Sequence, residues 1–384
     1  MLNAGRDRPL RAGHPWVFAG AIARGLSEIA AGDPVRVRAA DGRVVGTGYA
    51  NPTTTIAVRL LAHADEPVDD ALVARRIDDA LALRRAVLPE ASALRLVNGE
   101  GDAFAGVVAD RYADVVVCQF LTAGAARLAP AVVAALAARL APRTIYERSE
   151  GAVRREEGLA NAVGVLAGAE PPVPLEIEED GARYLVDVVH GQKTGFFLDQ
   201  RETRRRVRLL AAGRRVLNLF AYTGAISIAA ARGGAERVVS VDSSRGALEL
   251  AEAAWARNDL PAGPASWIEH DVFDYLRAEA ERHDLIVVDP PPFVRRRRDF
   301  SAGLRGYKDV NLHAFRRLEP GGLLLTCSCS QHVPADVFRD TVAAAAADAG
   351  RIARVVAEWG HPPDHPVALA HPEGRYLKAL LVAV

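Results

Sequence analysis

The first 65 residues alternate short apolar runs with glycine, proline and Asp-Gly punctuation. This spacing is typical of a small β-rich unit whose strands are joined by tight turns. The runs that predict strands are Trp16–Phe18, Pro34–Arg38, Val44–Gly46 and Thr54–Leu61. We therefore predict a first domain over residues 1–65.

The following hundred residues mix helical and strand periodicity. An amphipathic pattern predicts a helix over about 70–88, and an alanine-rich stretch predicts another over 125–140. The strand-like runs are Leu94–Asn98, Ala105–Asp110, Val115–Phe120 and Thr144–Glu147. Because the prolines at 171, 172 and 174 form a stiff boundary, we predict an α+β middle domain over 66–172.

Residues 173–384 alternate strands and helices. This alternation favours a parallel sheet with helices on both faces, so the predicted fold class is α/β with a Rossmann-like domain. The predicted strands are Arg215–Phe220, Arg237–Asp242, Leu285–Asp289 and Gly322–Cys327, with helices near 224–232, 245–257, 303–318 and 334–349. Such sheets bind ligands at the carboxyl ends of their strands, so candidate chemistry is sought there.

Composition narrows the possible classes of protein. The 384 residues include 48 Lys+Arg and 48 Asp+Glu, and this balance excludes a uniformly basic coat but permits a local basic face. Three cysteines cannot form a disulfide framework, and no CxxC spacing predicts a metal site. The N-terminus lacks a signal-peptide pattern, and the apolar stretches around 121–141 and 341–349 contain Arg or Asp. We expect a cytoplasmic protein without a metal.

The segment Asn218-Leu-Phe-Ala-Tyr-Thr-Gly224 follows the first strand of the predicted sheet. A glycine that enters a helix lets backbone N–H groups approach a ligand closely, although the segment lacks the GxGxxG pattern of dinucleotide sites. The second strand ends in Asp242, where a carboxylate can accept hydrogen bonds from ribose hydroxyls. Asp271 can contact an adenine amino group or simply cap the next helix.

Two further motifs lie at strand ends. Asp289-Pro-Pro-Pro-Phe293 combines a carboxylate with prolines that fix the backbone, and Thr326-Cys-Ser-Cys-Ser330 places two thiols at the same edge. Buried cysteines are usually inert, but a thiol at this edge becomes a nucleophile when nearby cations lower its pKa. Cys118 lies in an apolar strand and is expected to be a core residue.

Together these motifs resemble those of class I S-adenosylmethionine-dependent methyltransferases that make 5-methylcytosine in bacterial large-subunit rRNA. The matching segments are Gly191–Arg201, with the sequence Gly-Gln-Lys-Thr-Gly-Phe-Phe-Leu-Asp-Gln-Arg, Asn218–Gly224, Val241–Ser244, Asp289–Phe293 and Ser328–Ser330. The resemblance covers the whole chain, since Gly13–Phe18 matches the opening of that family's PUA domain and Asp364–Val367 and Tyr376–Lys378 match its C-terminal part. It implies an N-terminal PUA domain, a small α+β domain and a Rossmann-like catalytic domain.

The resemblance also implies roles for individual residues. Cys329 and Asp289 are the implied catalytic residues, the thiolate adding to carbon 6 of cytosine while Asp289 assists at nitrogen 3. The implied S-adenosylmethionine-binding residues are Lys193, Phe197, Gln200, Arg201, Asn218, Phe220, Tyr222, Thr223, Gly224, Asp242, Ser243, Asp271 and Asp289. Many RNA cytosine methyltransferases carry a second cysteine after the aspartate; this chain has prolines at 290–292, so Cys329 would act alone.

A run of four arginines, Arg295, Arg296, Arg297 and Arg298, follows the Asp289 motif. Beside a substrate-facing edge, such a run suits contacts to rRNA phosphates. Arg204–Arg206 and Arg214–Arg215 are expected to add to the same face. The expected partners are large-subunit rRNA or an assembling ribosomal subunit and a possible second copy of the chain, but no membrane.

Two other functions remain open. The first is methylation of a guanine ring nitrogen or exocyclic amine in rRNA without covalent catalysis, because Asp289-Pro-Pro-Pro-Phe293 resembles the Asn-Pro-Pro-aromatic motif of amine methyltransferases. Such methylation needs no thiol, so the Ser328–Ser330 motif favours cytosine instead. A non-catalytic RNA-binding assembly factor is the other alternative, and the intact cofactor motifs argue against it.

Overall fold

The computed structural model describes residues 1–278 and 281–384, which form two compact units. The first unit comprises Met1–Leu175, Asp187–Leu198 and Pro363–Gly374. The second comprises Glu176–Val186, Asp199–Pro362 and Arg375–Val384. This division does not test the predicted boundaries after residues 65 and 172, which remain predictions.

The first unit contains a β-rich part and an α+β part. Its strands are β1 (Trp16–Phe18), β2 (Pro34–Arg38), β3 (Val44–Ala50), β4 (Ile56–Ala62), β5 (Ala93–Asn98), β6 (Val107–Tyr112), β7 (Val115–Phe120), β8 (Thr144–Ser149) and β9 (Ala162–Gly168). Its helices are α1 (Arg8–Arg11), α2 (Asp70–Val87), α3 (Ala123–Leu140) and α4 (Ala152–Glu156). One sheet has the antiparallel order β1-β4-β3-β2; another has the order β5-β6-β7-β8-β9, in which β7 and β8 are parallel.

Helix α3 is the one helix in residues 1–278 and 281–384 that is long and apolar enough to cross a membrane. Its side chains Val132 and Leu136 are fully buried in a core shared with α2 and the β5–β9 sheet. Arg127 and Arg139 on the same helix pair with aspartates. The helix is therefore a packed element of the first unit.

The second unit carries the predicted α/β fold. Its strands are β10 (Leu175–Glu179), β11 (Ala182–Val186), β12 (Arg215–Leu219), β13 (Arg237–Asp242), β14 (Ala265–Glu269), β15 (His283–Val288), β16 (Leu318–Ser328), β17 (Arg354–Trp359) and β18 (Lys378–Ala383). Its helices are α5 (Arg201–Leu210), α6 (Ala225–Arg232), α7 (Arg245–Arg257), α8 (Val272–Ala278), α9 (Phe300–Arg316) and α10 (Ala335–Asp348). The α/β, Rossmann-like prediction is confirmed.

The main sheet has the strand order β14-β13-β12-β15-β16-β18-β17. Strands β12 to β16 pair in parallel, as predicted, but β18 is antiparallel to both of its neighbours. The parallel arrangement is confirmed for the four strands named from the sequence, and the unpredicted strand β18 makes the complete sheet mixed. Strand β17 ends at the carboxyl edge of the sheet and β18 starts at that edge again, so β18 has to run in the opposite direction. Its first residue, Lys378, consequently lies where the parallel strands end.

Side chains that alternate along the strands build the core of this unit. Leu217 and Leu219 of β12 and Ile286 and Val288 of β15 are fully buried beneath a layer that includes Phe315 of α9. Burial of side chains of this size contributes about 1.5–3 kcal/mol each. A rigid sheet results, and it fixes the positions of the loops at its carboxyl edge.

Candidate active site

The carboxyl edge of the main sheet gathers most of the predicted site residues. Because β12, β13, β14, β15 and β16 are parallel, their ends meet at one edge. The predicted residues at the ends of these strands or just beyond them are Phe220, Tyr222, Thr223, Gly224, Asp242, Ser243, Asp271, Asp289 and Cys329. The loops that carry these residues therefore leave the sheet on the same side.

The loop after β12 has an uncommon backbone. Phe220 and Tyr222 have φ values of 59° and 48°, and Gly224 has 70°, all in the left-handed region. A Cβ atom on Gly224 would lie 2.6 Å from Ala251 Cβ and 3.0 Å from the Trp267 ring. The glycine is thus required both by its own conformation and by close packing at the start of α6.

Asp242 ties this loop to the next one. Its carboxylate accepts hydrogen bonds from the backbone N–H groups of Tyr222 (2.8 Å) and Ser244 (2.9 Å). The Asp242 carboxylate is therefore held in one orientation and keeps lone pairs for a ligand.

Asn218, in the preceding strand β12, is held from one side only. Its Nδ2 donates to Ser227 Oγ at 2.9 Å, whereas its buried Oδ1 has no partner among the described residues.

Asp271 caps α8, as one of its two predicted interpretations proposed. Its Oδ1 accepts from the backbone N–H of Asp274 at 3.0 Å, and its side chain is exposed at the sheet edge. Ser243 is also exposed. Capping uses one carboxylate oxygen, so the other interpretation, contact with an adenine amino group, stays a prediction.

An aromatic cluster adjoins the loop after β12, and sequence reasoning missed part of it. The Phe220 ring lies 6.4 Å from both Phe273 and Phe293, and Phe293 lies 4.7 Å from Tyr307. Phe273 lies in the first turn of α8 and Tyr307 belongs to α9. The Asp289–Phe293 motif at a strand end drew attention to Phe293. The other rings lie far from it in the sequence, so no local pattern predicts that they meet.

Gln200 orients the carboxylate of Asp289. Its Nε2 donates to Asp289 Oδ1 at 2.8 Å, while its Oε1 accepts from the Thr203 hydroxyl at 2.6 Å. Trp359 Nε1 in turn donates to Thr203 Oγ1 at 3.3 Å. Such a chain fixes which side of the Gln200 amide faces Asp289.

The two thiols of the Cys327–Cys329 motif lie in different environments. Cys327 is fully buried, and burial together with the Asp289 carboxylate raises the pKa of its thiol well above the ordinary value. Cys329 is partly exposed, and its Sγ lies 3.7 Å from the carbonyl oxygen of Pro290. Of the two, Cys329 is the thiol that a ligand at the edge can reach.

Ser330 joins three elements around Cys329. Its Oγ accepts from the backbone N–H of Val294 at 3.1 Å and lies 2.8 Å from the Tyr307 hydroxyl oxygen. Its carbonyl oxygen accepts from Lys378 Nζ at 2.6 Å. Tyr307 and Lys378 were not predicted as site residues, although the Tyr376–Lys378 segment contributed to the resemblance.

The arginines of α5 are committed to partners in the protein. Arg201 and Arg204 are buried and both pair with Glu179, at 3.0 and 2.6 Å. Arg205 pairs with Asp180, and the Arg206 guanidinium lies 4.4 Å from the centre of the Trp359 ring.

The expectation that Arg204–Arg206 and Arg214–Arg215 join the basic run was therefore wrong. Arg215 begins β12, so it lies at the amino edge of the sheet and pairs there with Asp284 and Glu319. By contrast, Arg295–Arg298 are all exposed beside the carboxyl edge. Within this group Arg298 approaches Asp299 at 3.8 Å.

Lys193 and Phe197 belong to the first unit. Lys193 Nζ lies 4.4 Å from the centre of the Phe197 ring. The segment that carries them is anchored by Thr194, whose hydroxyl donates to the buried Asp110 at 2.6 Å, and by Arg148, which donates to the carbonyl of Gly191 at 2.9 Å. The segment is held by specific polar contacts within its own unit.

The edge fits the chemistry of S-adenosylmethionine. Two carboxylates, Asp242 and Asp271, suit ribose hydroxyls and an adenine amino group, and the unpartnered Asn218 Oδ1 offers a further acceptor. The loop that ends at Gly224 lets a ligand at this edge approach the backbone closely, because Gly224 has no side chain.

Comparisons with known proteins agree with this fit. A family model of S-adenosylmethionine-dependent methyltransferases matches residues 153–382, and a PUA-like domain model matches residues 1–63. A solved methyltransferase complexed with SAH superimposes with a TM-score of 0.86 at 25% identity, over 99% of this chain and 98% of its own. S-Adenosylmethionine is therefore the cofactor of this domain.

Relatives from bacteria identify the family. Ribosomal RNA large subunit methyltransferase I of Shewanella amazonensis is 42% identical over 389 residues, covering 100% of this chain and 98% of the relative. The protein of the same name from Serratia proteamaculans is 40% identical over 390 residues, with the same coverage. The chain therefore belongs to the S-adenosylmethionine-dependent ribosomal RNA large subunit methyltransferase I family.

Proposed function

We propose that the protein methylates carbon 5 of a cytosine in large-subunit rRNA, with the Cys329 thiolate as nucleophile. The observation that carries this proposal is the partly exposed Cys329 Sγ beside Pro290, at the edge where Asp289 is also held. The names of the relatives support large-subunit rRNA as the substrate. A thiol in this position has no role in guanine methylation.

Cytosine carbon 5 is a weak nucleophile at neutral pH. The Cys329 sulfur forms a bond to carbon 6, and the electron pair of the 5,6 double bond moves to carbon 5. Asp289 hydrogen-bonds or protonates nitrogen 3 as charge develops there. S-Adenosylmethionine, when bound, supplies an electrophilic methyl group. Once carbon 5 carries the methyl group, a base takes the carbon 5 proton. The electron pair of that C–H bond restores the 5,6 double bond, and the carbon 6–sulfur bond breaks to release the Cys329 thiolate.

The cofactor-binding residues are proposed from their place at the edge and from the resemblance. Those of the second unit are Gln200, Arg201, Asn218, Phe220, Tyr222, Thr223, Gly224, Asp242, Ser243, Asp271 and Asp289. Lys193 and Phe197 of the first unit are proposed on the resemblance alone. Arg201 is the weakest member of this set, because its guanidinium pairs with Glu179.

RNA binding is proposed for Arg295–Arg298 and for the PUA-like part of the chain. The four arginines are exposed and directly follow the substrate motif. An assembling ribosomal subunit, the cytoplasm as the place of action and a homodimer remain predictions.

The experiment is to incubate the protein with labelled S-adenosylmethionine and unmodified large-subunit rRNA, then identify the methylated nucleoside. We expect 5-methylcytidine. Cys329→Ala should abolish methylation and retain cofactor binding by calorimetry. Cys327→Ala is the matched control, and it should retain methylation because its buried thiol does not reach the substrate.

Three results would contradict the proposal. Methylguanosine as the product would refute cytosine chemistry, and full activity of Cys329→Ala would refute the thiol route. Loss of activity in Cys327→Ala with retained activity in Cys329→Ala would show that Cys327, not Cys329, is the required thiol.

A further inference from the structure

We propose that Lys378 is a positioning residue whose ammonium group stabilises the thiolate form of Cys329. This inference rests on the proposed function for its purpose, because only the thiol route needs a thiolate there. The effect of Lys378 on the thiol–thiolate equilibrium of Cys329 is a property of the protein alone and can be measured without RNA.

The fold brings Lys378 to Cys329 by strand pairing. In the antiparallel pair of β16 and β18, Lys378 lies opposite Ser328, the residue before Cys329. Lys378 Nζ then donates to the carbonyl of Ser330, the residue after Cys329, at 2.6 Å, and to the carbonyl of Tyr376 at 2.8 Å. The ammonium group is thus fixed alongside the backbone that carries the thiol.

The two groups interact electrostatically. Burial lowers the pKa of Lys378 to about 8, and the negative charge of Cys329 opposes part of that change. Interaction between two charges is mutual, so the ammonium stabilises the Cys329 thiolate by the same free energy. The partly buried surroundings screen this attraction less than bulk water does. At neutral pH, the lysine remains mainly charged.

Other titratable groups also face this site. Tyr307 of α9 and the buried Cys327 each interact with Cys329. Both are neutral at pH 7, since their ordinary pKa values lie above 7 and burial raises them further. Asp289 directly follows the neighbouring strand β15, and its negative charge raises the pKa of the Cys327 thiol. The proton lost by the Cys329 thiol passes to solvent.

The test is the pH dependence of alkylation of Cys329. Iodoacetamide, which is uncharged, reacts with the thiolate, and mass spectrometry of the Cys329 peptide separates it from the other thiols. In Lys378→Met the midpoint of the rate profile should move to higher pH. A shift of one pH unit corresponds to about tenfold slower alkylation at pH 7.

Two variants control for altered packing. Lys378→Arg keeps the charge and should return the profile most of the way to that of the unchanged protein. Lys308→Met makes the same substitution at a partly exposed lysine that pairs with Asp348, and it should leave the profile unchanged.

An unchanged profile in Lys378→Met would overturn the inference, as would equal shifts in Lys378→Met and Lys378→Arg. Failure of the proposed function is distinguishable, because methylguanosine as the product would leave the alkylation result intact.

Discussion

At the scale of single residues, His283 lies buried at the start of β15, 1% exposed, and both of its ring nitrogens lack hydrogen-bond partners among the described residues. Burial, and the positive charges of Arg215, Arg237 and Arg317, lower its pKa from 6.5 to about 4. The imidazole is therefore neutral in the folded protein under conditions in which the unfolded chain would bind a proton.

This difference predicts acid sensitivity. Between pH 6.5 and 4 the unfolded state binds more protons at this position, so the free energy of unfolding falls as the pH falls, and the effect levels off below pH 4. His283→Leu removes the effect. The difference in free energy of unfolding between His283→Leu and the unchanged protein should be about 2 kcal/mol more favourable to the variant at pH 5 than at pH 7.5. Urea denaturation at the two pH values measures this difference.

His332→Leu, at a partly exposed histidine, provides the control and should show no such difference. Equal pH dependence in His283→Leu and the unchanged protein would show that His283 does not titrate as described.

Residue identity alone predicted some parts of the site and misjudged others. Asp242 and Cys329 were predicted at the carboxyl edge of the sheet, where the structure places them, because ligands bind at the strand ends of such sheets; their roles stay predictions. Arg204 was misjudged because its partner, Glu179, lies 25 residues earlier in the chain and pairs with it only after folding. Charge runs do not reveal which members are neutralised by tertiary contacts.

At the scale of elements, the turn between β12 and α6 depends on Gly224. Alanine there would adopt a left-handed conformation and bring its Cβ within 2.6 Å of Ala251. Gly224→Ala should lower the free energy of unfolding by about 3 kcal/mol and weaken S-adenosylmethionine binding, measured by denaturation and calorimetry.

Gly246→Ala is the matched control, since Gly246 lies inside α7 and an added Cβ meets nothing within 4 Å. This change should be neutral or slightly stabilising. Similar losses of stability in both variants would contradict the packing argument at Gly224.

Local pattern predicted the elements with strong periodicity. Strands β1, β2, β7 and β13 and helix α7 have the predicted bounds. The pairing of β18 between β16 and β17 was not predicted, because it depends on contacts between distant parts of the chain. Lys378 was missed as a site residue for the same reason.

At the scale of the whole molecule, a net charge of zero means that any affinity for RNA depends on where the charges lie. Arg296 and Arg297 are exposed next to the substrate motif. The double variant Arg296→Gln/Arg297→Gln should weaken rRNA binding and reduce the slope of log affinity against log salt by about 1.5. Filter binding at several salt concentrations measures this slope.

Arg237→Gln/Arg354→Gln is the control, because both residues are exposed and begin strands β13 and β17 at the amino edge of the sheet. Its slope should match that of the unchanged protein. Equal reductions in the two double variants would mean that the basic run has no special role.

The interleaving of the two units limits how the protein can be divided. In the part of the chain that the structure describes, the backbone passes between units after residues 175, 186, 198, 362 and 374. A single break after residue 175 would leave Asp187–Leu198 and Pro363–Gly374 on a different fragment from the rest of their unit. The units are therefore unsuited to exchange as consecutive modules, and a protein split after residue 175 must reassemble before its first unit is complete.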